Sequence, residues 1–495
     1  MNRYITALLA AAAALLGACS GPGAVTPDSI AGALPPMMPD YSGTPTLPRN
    51  IAPLRFRIDL DADRYQAAIG ITGEEPQIIV NSTDGAIKIP EGEWADLLDR
   101  AAGRGIAVAM ATRGPSGDWV GYPEMTFDVD TAALNDWLVY RLIYPGYELW
   151  NRMGIYQRCP ANYEQEALLE NDPVDKQCMN CHSFASARPE TMMLHVRGTN
   201  GGTIILQPDK EPAKLTPTAS GTPHGAAYPA WHPSGRYIAY AADDIKQFFH
   251  TSGRKAIEVV NMAGDIMVYD TDSRTGFTDS LMAGPEYVET FPTWSPDGRM
   301  LYYCRAQPLY TPAGIDSARY DLVRRPFDPA TGRFTGAPEP VYEASKEGKS
   351  VTVPRISPDG RWLLFTRSDY GNFMIWHTAA DLCLIDLASD SLTVRRADEI
   401  NAPGAVDSYH SWSSDGRWMV FSSKRIDGLF ARPYIARFDS ATGRFAPPFV
   451  LPQASPDHYD DLLMSFNIPE FVAGRVPHAP TLAAKAREEQ PGKPG

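Results

Sequence analysis

One pattern recurs four times in the second half of the chain and restricts the fold more than any other feature. It reads Pro229-Ala230-Trp231-His232-Pro233-Ser234-Gly235-Arg236, then Pro292-Thr293-Trp294-Ser295-Pro296-Asp297-Gly298-Arg299. The later copies are Pro354-Arg355-Ile356-Ser357-Pro358-Asp359-Gly360-Arg361 and Ser411-Trp412-Ser413-Ser414-Asp415-Gly416-Arg417. Successive turn glycines stand about 60 residues apart, the spacing of repeated supersecondary units. In Pro-Asp-Gly the proline holds φ, the aspartate bonds its own turn and the glycine takes positive φ, so a hairpin closes there. A strand of alternating aromatic and aliphatic residues follows each turn, and a third strand follows at 265–270, 322–328, 382–386 or 434–439. Ala-Thr-Gly-Arg-Phe, at 330–334 and 441–445, leads two copies into a fourth strand. Four strands per copy make one blade of a β-propeller. A further blade can be assembled from 192–197 and 202–206, completed by a C-terminal strand near 462–471, which removes open edges. The expected fold is mainly β, with a propeller over 191–474 of five blades, six being the alternative count.

Ahead of the repeat, 44% hydrophobic and 21% charged residues in 495 are enough to build globular cores. Residues 1–18 carry one cation, Arg3, then an apolar run from Ile5 to Leu16 and the small pair Gly17-Ala18. This is a secretory signal, shorter than the ~20 apolar residues of a bilayer span. Leu16-Gly17-Ala18-Cys19 resembles the lipobox of bacterial lipoproteins, which implies an acylated Cys19 and attachment to a membrane through lipid. Ser20 after it resembles the outer-membrane signal of such lipoproteins, and the lack of an acidic run there favours an anchor in the cell envelope that faces the periplasm. Residues 19–50, rich in Pro, Gly and Ser, read as a flexible tether. Residues 51–135 read as a small β-sandwich-like or α+β domain, with strands at 54–60, 77–81, 106–111 and 125–129 and a short helix at 93–102. Residues 136–190 read as an aromatic linker, and 475–495 as a disordered tail.

Within that linker, Cys178-Met179-Asn180-Cys181-His182 is Cys-x-x-Cys-His, the attachment signature of c-type haem. Two thiols at this spacing add across two vinyl groups, and the next residue supplies an imidazole to the iron. Secretion agrees with covalent haem, whereas a reducing dithiol would sit on a βαβ pattern absent here, and zinc would want a second ligand pair. The expected cofactor is one covalent haem c, held by Cys178, Cys181 and His182. Cys304 and Cys383 fall in propeller strands and read as buried small hydrophobes, while Cys159 has no evident partner.

Downstream, Met192-Met193-Leu194-His195-Val196-Arg197 reads as a strand. Met192, Leu194 and Val196 then share a core face, and Met193, His195 and Arg197 the other. That second face offers a distal iron ligand, His195 first and Met193 second, beside Arg197 as a cation suited to a haem propionate. Met192 and His224 are more remote candidates.

The repeat resembles the TolB-type, WD-related propeller repeat over 226–471. With the haem motif, His195-Val196-Arg197-Gly198 and the aromatic segment before them, nearly the whole mature chain resembles a family of bacterial envelope lipoproteins. Its members join a monohaem cytochrome c motif to such a propeller. The resemblance implies haem binding and electron transfer, and names no substrate.

The formal charge of −14, with no block of Lys or Arg, excludes a nucleic-acid partner. Gly-rich phosphate loops, His-Glu-x-x-His and a Ser-His-Asp context are missing as well. The expected function is a non-enzymatic electron-transfer protein whose propeller docks a redox partner. The alternative is a haem-dependent enzyme, or a redox- or gas-sensing scaffold that binds its ligand on the propeller face.

Overall fold

A computed structural model describes residues 23–145, 152–172, 176–198, 200–220, 222, 224–252, 255, 257–477 and 479–489. The signal segment and Cys19 lie outside them. The described chain is mainly β and divides into two compact units.

The first unit runs to Ala132 and includes Gln453–His458. A seven-stranded sheet, centred on Arg64–Ile71 and Gly105–Arg113, stands with a three-stranded sheet and the helix Glu91–Ala101. Trp94, Leu97, Leu98 and Ala101 are buried on that helix, the spacing of one apolar stripe. Glu91 and Glu93 occupy its first turn and Arg100 its last, as the helix dipole favours. Trp94 Nε1 donates to Ile51 O at 3.0 Å. The expected tether is part of this unit: Met37–Met38 pairs with Phe56–Ile58, Thr46–Leu47 pairs with Met125–Val129, and Tyr41 and Leu47 are buried. Prolines keep the segment from becoming a helix, and its extended backbone joins sheet edges instead.

The second unit holds six antiparallel sheets. The first is Gln165–Glu170, Met153–Arg158, Trp137–Ile143 and, from the far end of the chain, Ser465–Val472. The second is Met179–Phe184, Met192–Val196, Gly202–Leu206 and Ala213–Leu215. The third contains the two longest strands, Tyr237–Phe249 and Ile257–Asp270, after Ala226–Trp231. The fourth, fifth and sixth begin at Val288–Trp294, Ser350–Ile356 and Asp407–Trp412.

Among the described residues six sheets stand in this unit, the number given as the alternative to five blades. The segment 136–190 is not a linker: it supplies three strands of the first sheet and the leading strand of the second. Met192–Val196 does not share a sheet with the C-terminal strand, because Ser465–Val472 pairs with Trp137–Ile143. Within the expected tail, Ala479–Arg487 is a helix with Leu482 and Ala486 buried, and Lys214 Nζ donates to Ala486 O at 3.0 Å and Glu488 O at 2.6 Å.

The leading strands share one irregularity. In each, two residues oppose one on the neighbouring strand, and one residue takes a left-handed conformation. These residues are Ile468 (φ 49°), Cys181 (φ 56°), Tyr228 (φ 46°), Phe291 (φ 50°), Val353 (φ 51°) and Tyr409 (φ 42°). Each bulge re-aims the residues beside it, and the far ends of the six strands converge. Phe184, Trp231, Trp294, Arg355, Trp412 and Glu470, one from each sheet, line a single cavity.

Candidate functional site

The Cys-x-x-Cys-His segment lies on the leading strand of the second sheet, Met179–Phe184, and the bulge of that strand falls at Cys181. Cys181-His182 occupies the position held by Tyr228-Pro229, Phe291-Pro292, Val353-Pro354, Tyr409-His410 and Ile468-Pro469 in the other five. The motif is thus written over a structural repeat, and the His-Ser-aromatic run shared by His182-Ser183-Phe184 and His410-Ser411-Trp412 was the sequence signal that could have placed 178–184 among these strands.

Cys178 and Cys181 are buried, form no disulfide, and open on a second cavity at the other end of these strands. Its empty volume, counting the open mouth, is ≈ 960 Å³. Tyr228, Phe373, Trp376 and Tyr409 give it an aromatic lining, and Arg141 and Arg197 give it two cations. Arg141 Nη1 donates to Met179 O at 3.2 Å, which anchors its guanidinium beside the motif, and the Arg197 backbone N–H donates to Cys178 O at 2.8 Å, which holds that residue's main chain there. Burial pushes the Cys178 thiol up, with Arg141 and Arg197 partly opposing it.

His182 sits in the wall rather than on the cavity surface. It is 3% exposed, its ring meets Phe184 edge-on at 6.4 Å, and neither ring nitrogen has a hydrogen-bond partner. Burial, helped by Arg141, lowers its pKa to about 3, so the imidazole is neutral at ordinary pH. A buried polar group left unpaired costs about 1–3 kcal/mol. The two thiols face the cavity, whereas His182, whose neutral ring has one lone pair to give, does not line it.

The expected distal ligands are elsewhere. Met193 is fully buried in a cluster with Trp231, Ile238, Tyr240, Met267 and Tyr269, packed between the second and third sheets. His195, paired across the ladder with Asn180, is half-buried, and its Nδ1 lies 3.1 Å from Thr203 Oγ1. Burial lowers its pKa to about 4. Neither lines the cavity, because strand alternation turns both toward the third sheet; Arg197, past the strand end, does line it. Met192 is buried on the opposite face with Leu194 and Val196, and His224 lies outside the cavity lining. Cys304 and Cys383 are core residues whose thiols burial pushes up, Cys383 to about 12.

Two groups at the site were not legible in the sequence. Arg141 belongs to the first sheet and Lys424 to the sixth, and only the tertiary fold brings them to the thiols. Lys424 is 2% exposed; its Nζ lies 2.8 Å from the centre of the Trp376 ring and makes no hydrogen bond. Burial lowers its pKa well below that of an ordinary lysine.

No family model matches the chain. It is 23% identical over 195 residues to the uncharacterised protein Atu1656 of Agrobacterium fabrum, covering 34% of this chain and 60% of that protein. Among solved structures it is similar to a puromycin-hydrolysing peptidase of Mycobacterium tuberculosis, with 13% identity, a TM-score of 0.36, and 62% of this chain and 46% of that one covered. For an oligogalacturonate lyase of Vibrio parahaemolyticus the values are 10%, 0.37, 64% and 79%. For hydrazine synthase of Kuenenia stuttgartiensis they are 11%, 0.41, 68% and 46%.

Proposed function

We propose that the chain is a c-type cytochrome with one covalent haem, held at one end of a closed six-bladed β-propeller, and that it transfers electrons in the cell envelope. The observation that carries the reading is the meeting of the Cys178 and Cys181 thiols on one cavity wall with the unpartnered nitrogens of His182 behind them. Closure of the propeller is supported by the pairing of Ser465–Val472 with Trp137–Ile143 and by the shared cavity at the strand ends. Cys178 and Cys181 are the thioether anchors and His182 the first axial base. Arg141 and Arg197 are the cations for the propionates, and the aromatic wall keeps water from the site. A haem c bound there supplies a one-electron iron couple. The acidic surface favours a basic redox partner, docked on the propeller, and Cys19 is the lipid anchor to the outer membrane.

The test is expression of the full chain, with its signal, in cells competent for cytochrome maturation. The purified protein is expected to be coloured and to keep haem through denaturation, while Cys178→Ser with Cys181→Ser loses it. Colourless protein whose mass lacks the porphyrin overturns the reading. Carbon monoxide divides the two functions: a reduced protein that does not bind it fits the carrier, and one that binds it readily fits the enzyme or sensor.

A further inference from the structure

We infer that the cavity where the six leading strands converge binds a small zwitterion of the amino-acid class, its carboxylate on Arg355 and its ammonium on Glu470. The site lies at the opposite end of these strands from Cys178 and Cys181, and the inference does not rest on the haem reading. In each leading strand the second residue past the bulge lines this cavity, namely Ser183, Ala230, Thr293, Arg355, Ser411 and Glu470. Four of the six are small. The space they leave, ≈ 350 Å³, is at the lower end of the range of small-molecule sites, and the two long side chains that share it carry opposite charges.

Those charges do not pair with each other. Arg355 and Glu470 are half-buried, and neither forms an ion pair among the described residues. The Arg355 guanidinium donates from Nη1 to the Pro354 carbonyl at 3.4 Å. Burial lowers the Arg355 pKa, with the charge of Glu470 opposing. Burial also pushes the Glu470 carboxyl up to about 7, against the pull of Arg355 and a hydrogen bond from the Phe184 backbone N–H. A charge withdrawn from water costs free energy until it is paired. An anion alone would answer Arg355 and repel Glu470, and a cation alone the reverse. A carboxylate and an ammonium on one molecule answer both and leave the cavity neutral, and a guanidinium takes a carboxylate through two parallel N–H bonds. Trp231, Trp294, Trp412 and Phe184 border the same space and offer apolar surface to the ligand's side chain.

The experiment is calorimetric titration of the purified full-length protein with L-leucine and L-phenylalanine. At least one is expected to bind with a Kd below about 1 mM. The N-acetyl derivative, which lacks the ammonium, and the methyl ester, which lacks the carboxylate, are each expected to bind at least about tenfold more weakly, the worth of one charge-assisted hydrogen bond. Arg355→Gln and Glu470→Gln are expected to weaken binding of the amino acid by a similar factor while keeping the circular dichroism of the fold. Glu470→Gln is also expected to bind the N-acetyl derivative no worse than the unmodified protein does, since the partner it lacks is the ammonium's. If Arg355→Gln does not fold, the near-isosteric Glu470→Gln decides. Failure of both amino acids to bind overturns the inference, as do derivatives that bind as tightly as the amino acids, or folded variants that bind unchanged.

Discussion

Asp243 Oδ2 accepts hydrogen bonds from Asn261 Nδ2 at 2.7 Å and Thr290 Oγ1 at 3.0 Å, while Oδ1 has no partner. Glu289 is buried nearby with one oxygen also unpaired. Burial pushes each carboxyl up to about 8; at Asp243 the hydrogen bonds from Thr290 and Asn261 oppose it and the charge of Asp265 adds to it, and at Glu289 the charge of Asp265 adds while Arg305 opposes. Unfolded carboxyls titrate near 4, so these groups bind protons more tightly in the folded state. Their contribution is complete below pH about 4 and is lost as pH rises through about 8, at about 1.4 kcal/mol per pH unit for each proton. The urea midpoint is expected to fall between pH 5 and pH 8, and Asp243→Asn, which keeps an acceptor for both hydrogen bonds, to flatten that fall. A midpoint that holds steady over this range contradicts the assignment. In the sequence the adjacent pair Asp243-Asp244 gives no sign of burial, because only a neighbouring sheet covers Asp243.

The turn motif shows how an element can be read locally. Ser295, Ser357 and Ser413 each donate through Oγ to the aspartate two residues on, and those aspartates accept from the backbone N–H of Arg299, Arg361 and Arg417. The same serine oxygens accept from the N–H of Met300, Trp362 and Trp418. In the first copy Ser234 stands where the others have the acid: its Oγ accepts from the Arg236 N–H at 3.2 Å and lies 2.7 Å from the Nδ1 of His232, which stands at the serine position. Gly298, Gly360 and Gly416 have φ near 70–77°, as such a hairpin requires. All the partners lie within five residues, which is why the hairpins were legible. Asp359→Ala is expected to cost about 1 kcal/mol, the worth of a small hydrogen-bond set, read as a lower urea midpoint with unchanged slope. The haem-motif strand was less legible, since its turn, from Ser186 to Glu190, lacks the Asp-Gly signature.

For the second unit as a whole, the decisive element is Ser465–Val472. It carries the fully buried Phe466, Phe471 and Val472, each worth about 1.5–3 kcal/mol, and it covers an edge that Trp137–Ile143 would otherwise expose. Their sum is comparable with the 5–15 kcal/mol stability of a typical domain. A chain ending at residue 463 is expected to lose its cooperative urea transition and to aggregate. Retention of a sharp transition would show that the sheets hold without the ends joined. The amino-acid sequence alone determined the hairpins, the alternating strands and the Cys-x-x-Cys-His spacing, because each depends on neighbours a few residues away. The tertiary structure decided the number of sheets, the partner of the last strand and the company of the thiols. Those choices bring together residues some 300 apart, and they are settled by which edges and apolar faces must be covered at once, a condition no local stretch of sequence expresses.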